Sequence, residues 1–245
     1  SGSPLSAEVL AAVAVDVAGG GAYADLLDEV ASAPVGDAVL LRLLGGLHEL
    51  VLAGEAPTLA AHYPSVGGVP GPELAEAVLA AGHEHRVVLA DRLRRGVQTT
   101  EVGRSAVLLG GYLEAAQLGL PLRVLEVGAS AGLNLLADRY RYVGEHGSFG
   151  PPDSPLAFDR PWAVGEPDLT VPLEIAERRG RDRAPIDLGD PAGRRRLRAF
   201  VWGDQLDRLA RLDAALEVAG ADPPTVDRSS AAAWVEHQLA LPAPG

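Results

Sequence analysis

The chain has 245 residues, 47% of them hydrophobic, with 33 acidic against 21 basic side chains and a formal net charge of −12. That length supports one large domain or two small ones, and an acidic surface repels phosphate backbones, which argues against nucleic acid as a general partner. With no Cys, disulfides, thiolate metal sites and a cysteine nucleophile are excluded.

The opening Ser1-Gly2-Ser3, which has no initiator Met, is set aside from fold reasoning as a foreign leader. The first apolar stretch, 5–23, carries Glu8 and Asp16 and lacks a basic n-region. No run of about 18 apolar residues occurs farther along. The expectation is therefore a cytoplasmic protein with no membrane span. Residues 38–54, AVLLRLLGGLHELVLAG, are apolar nearly all round and read as a buried helix. Residues 71–96 begin with Pro and end with Gly and read as one helix. Residues 100–119 read as another, with Gly119 as its C-cap. Between the first two lies the Pro- and Gly-rich loop 56–71. Its HYPSVGG segment, with Tyr63, reads either as structure alone or as a lid over a ligand.

The pattern changes at Pro121. LRVLEVG, 122–128, reads as a strand, and 131–142 as a helix after it. PLAFD (155–159), RAPIDL (183–188) and PTVDRS (224–229) read as further short strands. Residues 191–220 read as a long helix bent near Gly203, and 230–241 as a last helix capped by Ser229 or Ser230. Strands alternating with helices argue for a parallel α/β sheet. The expected fold is thus an N-terminal helical domain (1–119) followed by a Rossmann-like parallel sheet (120–245). The final LPAPG stops where such a sheet calls for another strand, so the domain is expected to be truncated.

Two chemistries compete for the turn Gly128-Ala129-Ser130-Ala131-Gly132. It matches G-x-S-x-G, the nucleophile elbow of serine hydrolases. Ser130 would then need His237 as base and Asp187 or Asp204 as acid. Against this, the preceding 120 residues look helical, and no H-G-G-G-type oxyanion segment occurs. Read with Glu126, the same residues suit a cofactor turn. Gly128 lets a ligand approach the backbone. Ser130 or Ala131 starts a helix whose N–H groups face the ligand. Gly132 permits close helix–strand packing, and Glu126 takes an ammonium or hydroxyl group. The stretch resembles motif I of class I S-adenosylmethionine-dependent methyltransferases, with Ser130 in place of the central Gly. That resemblance implies S-adenosylmethionine as cofactor, held by Glu126, Gly128, Ala129, Ser130, Gly132 and Asn134. It also implies an acidic residue at the end of the second strand, for which Asp159 and Asp187 are the candidates.

Four stretches, 41–68, 97–109, 125–142 and 200–216, together resemble a bacterial family of unknown function common in actinobacteria and described as methyltransferase-like. Members continue past this C-terminus into another apolar strand, and they carry QTNE where this chain has Gln98-Thr99-Thr100-Glu101. The family implies no reaction, so the catalytic residues and the substrate stay open. Gln98, Glu101 and Arg104, together with Tyr63, are read as substrate-side residues at the mouth of the Gly128 turn. The other reading of Glu101 and Arg104 is a helix-start ion pair. The six His residues form no spacing that suits a metal, and the Arg194–Arg198 run reads as a solvated helix face. The function reading is a methyltransferase or a degenerate relative. A non-catalytic sensing or interaction module stands second and a serine hydrolase third.

Overall fold

The computed structural model describes residues 2–30 and 38–242. Residues 31–37, part of the stretch read as helical, and 243–245, part of the end where the missing strand was expected, lie outside them. The chain is mixed α/β and divides into two compact units. One comprises Ser1–Thr99 with Arg195–Leu209, the other Thr100–Arg194 with Ala210–Gly245.

The first unit is helical: α1 (Pro4–Ala18), α2 (Ala22–Asp28), α3 (Val39–Leu52), α4 (Pro57–Ala60), α5 (Leu74–Glu84), α6 (Arg86–Arg94) and α8 (Pro191–Ala199), which begins in the other unit. As its sequence requires, α3 is buried without interruption from Leu43 to Val51. It packs in one core with Leu5, Val9, Tyr23, Leu26, Val78 and Leu89. The single helix expected over 71–96 is broken at His85, which leaves the helical region (φ −113°, ψ 21°). Ser3, set aside from fold reasoning, takes part in the fold. Its Oγ accepts from Ser6 N (3.1 Å) as the N-cap of α1 and donates to Asp204 Oδ1 (2.6 Å), while Leu5 N donates to Asp204 Oδ2 (3.1 Å). The long helix expected over 191–220 is two, with α9 at Leu206–Ala221.

The second unit holds α7 (Ser105–Ala116), β1 (Leu122–Val127), β2 (Arg141–Val143), β3 (Ser148–Phe149), β4 (Ala157–Asp159), β5 (Ile175–Asp182), most of α9, β6 (Val226–Arg228) and α10 (Ala231–Ala240). Thus α7, placed before the expected boundary at 119, packs on β1. Gly119 ends the α7 region with a left-handed φ of 71°, its N–H bonded to Ala116 O. The sheet runs β1-β5-β6, all parallel, with Glu126 opposite Gly180 and Gly180 opposite Val226. Two expectations fail here. RAPIDL is not a strand; the central strand is the preceding IAERRGRD. The helix expected over 131–142 is instead a kinked 3-10 segment, Leu133–Arg139, followed by β2. Tyr140 and Tyr142 explain the change. They alternate with Arg141 in the period of a strand, and both rings are fully buried. Their hydroxyls donate to Leu133 O (2.5 Å) and Ala137 O (2.8 Å), and the Tyr142 ring stacks on Phe158 (5.1 Å) and Trp162 (5.8 Å). These aromatics hold a second small sheet, β3-β2-β4. Among the described residues no single helix is long and apolar enough to cross a membrane; α1 and α2 together pass that test but meet at 89°.

Candidate functional site

The turn after β1 has a left-handed backbone at three alternate positions: Gly128 (φ 76°), Ser130 (φ 55°) and Gly132 (φ 75°). Left-handed φ is cheap for Gly and costs an L-residue roughly 1–2 kcal/mol. Ser130 therefore stands where glycine's conformation is demanded, which is why the turn keeps the glycine spacing without the central glycine. The two true glycines serve different ends. A Cβ on Gly132 would lie 2.9 Å from Pro224 and Val226, so this position is closed by packing. A Cβ on Gly128 would meet nothing within 4 Å, so its outer face is open.

The turn's amides are held from within the protein. Gly128 N and Ala129 N donate to Arg181 O (2.9 and 3.0 Å), Ser130 N to Asp182 Oδ2 (3.0 Å) and Gly132 N to Ala129 O (2.7 Å), while Ser130 O accepts from Ile186 N (3.2 Å). The α-helix expected after the turn is instead the 3-10 segment Leu133–Arg139, and the amides of Gly128, Ala129, Ser130 and Gly132 already have acceptors within the protein. An elbow nucleophile needs an exposed hydroxyl. Ser130 shares the elbow's left-handed φ but is 4% exposed.

Two carboxylates lie at the C-terminal ends of the adjacent parallel strands β1 and β5 beside this turn: Glu126, one residue before the end of β1, and Asp182, the last of β5. Glu126 is largely buried, and desolvation pushes its carboxyl up from 4.5 to about 7. The Asn134 side chain bonded to it and the charge of Arg104 act the other way; the charge of Asp182 adds to the rise. Its Oε2 is buried without a hydrogen-bond partner. Asn134 is fixed in turn, its Oδ1 accepting from Ser105 Oγ (3.0 Å). Asp182 spends both oxygens locally, Oδ2 on Ser130 N and Oδ1 on Ala184 N (2.9 Å).

Where the sequence pattern suggested a strand-end acid at Asp159 or Asp187, Asp182 ends β5, the parallel neighbour of β1. Asp159 ends β4 in the small sheet, paired with Val143 and exposed. Asp187 lies in a loop, its Oδ1 accepting from Gly189 N (2.8 Å). With Ala131, Ile186, Arg194, Pro224 and Val226 it lines a cavity of about 550 Å³ beside the turn, a volume in the range of small-molecule sites. In the chain, β2, β3 and β4 are inserted between β1 and β5.

Of the substrate-side candidates, Arg104 comes close enough to Glu126 to act on its charge. Glu101 caps the short 3-10 turn Val102–Arg104 through Gly103 N (2.9 Å) and pairs with Arg211 (3.4 Å). That is the helix-start reading, with Arg211 as an ion-pair partner. Gln98 is buried in the first unit. Tyr63 is buried there too, its ring 5.3 Å from that of His48, and is a core residue rather than an exposed lid.

Residues 1–245 match the family described as "uncharacterized protein conserved in bacteria (DUF2332)", and the chain belongs to it. No curated protein and no solved structure matches the chain.

Proposed function

We propose that the Gly128 turn is a nucleotide-type cofactor site of Rossmann-like descent, and that the protein is an S-adenosylmethionine-dependent methyltransferase or a degenerate relative. The observation that carries this reading is the pair Glu126 and Asp182. They lie at the C-terminal ends of neighbouring parallel strands, beside a turn with three left-handed residues, and ligands of open α/β sheets bind outside the carboxyl ends of such strands. The residues suit the group in two respects. Glu126 Oε2 lacks a partner that a ligand ammonium or hydroxyl would supply, and Gly128 leaves the backbone open to approach. When bound, the cofactor supplies an electrophilic methyl group. The chain's own part is then to hold the ammonium end on Glu126, to keep that carboxyl ionised with help from Arg104, and to position the nucleophile. Titration with S-adenosylmethionine and S-adenosylhomocysteine, read as a thermal shift, tests this. Saturation at about 100 times Kd should add roughly 2.7 kcal/mol to stability, and no shift with either ligand would refute it.

One observation favours the second reading, a module that keeps the turn without the chemistry. The amides of Gly128, Ala129 and Ser130 already have acceptors on β5, so the turn is complete without a ligand. Cofactor binding that survives Gly128→Val would place the ligand elsewhere and support that alternative.

A further inference from the structure

We propose a second site, for a phosphate monoester group, at the N-terminus of α10. It stands on other residues than the methyl-donor reading and does not depend on it. Helix α10 runs for ten residues, Ala231–Ala240, and its N-cap Ser230 is extended (φ −79°, ψ 151°) yet makes no side-chain cap hydrogen bond. The first-turn amides of Ala231, Ala232 and Ala233 therefore lack the usual side-chain acceptor, with the positive end of the helix dipole behind them. Ala232 and Ala233 are exposed.

Next to this helix start sits a buried cation. Arg181 is 5% exposed, its Nη2 donates to Ser229 O, the carbonyl just before the cap, and its Nε is buried with no hydrogen-bond partner. Ser229 Oγ is also buried without a partner. Unmade hydrogen bonds on a buried guanidinium and a hydroxyl are costly, and an acceptor seated at the helix start relieves that cost. The acids at this end of the sheet are committed elsewhere. Asp182 serves Ser130 N and Ala184 N. Asp227 takes Arg179 (2.6 Å) and Trp234 Nε1 (2.7 Å). Arg183 and Arg228, both exposed, add positive charge at the ends of β5 and β6. In a chain of net charge −12 this is a local inversion of sign. Three helix amides, one hydroxyl and a guanidinium offer more donors than a planar carboxylate accepts, and they suit a tetrahedral oxyanion.

The test is titration of the isotope-labelled protein with inorganic phosphate at constant ionic strength, following the amide resonances of Ala231, Ala232 and Ala233, with chloride and acetate as separate arms. Saturable shifts with phosphate are expected, with at least tenfold weaker binding of acetate. Ser230→Asp places a carboxylate cap on the same amides. It should leave the fold intact, hold or raise Tm, and weaken phosphate binding at least tenfold; Arg181→Gln should do likewise where it folds. Shifts that merely follow ionic strength, equal binding of acetate, or unchanged phosphate binding in Ser230→Asp would each overturn the proposal.

Discussion

Glu126→Gln separates the electrostatics of the β1 end from everything else in the molecule. The folded Glu126 carboxyl titrates near 7, whereas its ordinary value is 4.5, and the main cause is burial. A carboxyl raised on folding stays protonated in the native state over a window in which the unfolded chain has already lost its proton. Stability therefore falls as pH rises from about 4.5 to about 7, and the loss is complete above that. The two values lie about 2.5 pH units apart, so at 1.36 kcal/mol each the charged form costs about 3 kcal/mol at pH 8. Gln keeps the size of the side chain and an acceptor for Asn134 but cannot ionise. Urea unfolding of both proteins from pH 4 to pH 8 gives the difference in stability, in which the other titrating groups cancel. That difference should grow in favour of Glu126→Gln across the window by about 3 kcal/mol, then level off. A flat difference, or one that grows as pH falls, would refute the burial argument. The same variant bears on function: an ammonium-bearing ligand on Glu126 needs the carboxylate, so its binding by the native protein should weaken below about pH 7 and in the variant be weak throughout.

His48 should show the opposite slope in the first unit. Burial pushes it down from 6.5 to about 4, with Arg198 in the same sense and Asp204 and the carbonyls of Ala199 and Val201 against it. Stability should thus fall as pH drops through that window, and His48→Gln should remove up to about 3 kcal/mol of that dependence in the same unfolding assay. Gly132→Ala places a methyl 2.9 Å from Pro224 and Val226 at a left-handed φ and should cost about 2–4 kcal/mol by denaturant melts. Asp182→Ala strips the acceptor from Ser130 N and should cost about 1–3 kcal/mol, while Ser130→Gly should change stability by no more than about 1 kcal/mol, the relief of φ strain offsetting added chain entropy. A fluorophosphonate probe should fail to label Ser130; labelling that vanishes in Ser130→Ala would restore the hydrolase reading.

The elements that were legible in the sequence are those whose burial is carried by apolar side chains. The α3 helix, apolar on every side, and β1, bounded by Pro121 and Gly128, could be read directly. The central strand β5 could not, because IAERRGRD reads as solvated. In the structure its charges are cross-linked: Glu177 to Arg123 (2.6 Å), Arg178 to Asp138 (2.9 Å) and Arg179 to Asp227 (2.6 Å). Ion pairs between neighbouring elements leave no periodicity along the chain, so a strand held by them is invisible to hydrophobic patterning. Asp182 escaped the sequence reading for the same reason. An acid can be assigned to a strand end only if the strand is seen.

In the turn, the glycine spacing pointed to the backbone that forms but not to the 3-10 segment that follows it. The spacing encodes left-handed φ at 128, 130 and 132, and the structure has all three. The fate of the next segment is encoded farther along, in Tyr140 and Tyr142, whose buried rings draw residues 141–143 into a strand and shorten the helix to a kinked 3-10 segment. The amides of Gly128, Ala129 and Ser130 are engaged on β5. Of the two strand-end carboxylates, Asp182 has both oxygens engaged, whereas Glu126 has an unmet oxygen and an open Gly128 nearby. On the proposed reading, a ligand at this turn brings a donor to Glu126 Oε2, and an ammonium- or hydroxyl-bearing cofactor suits that oxygen.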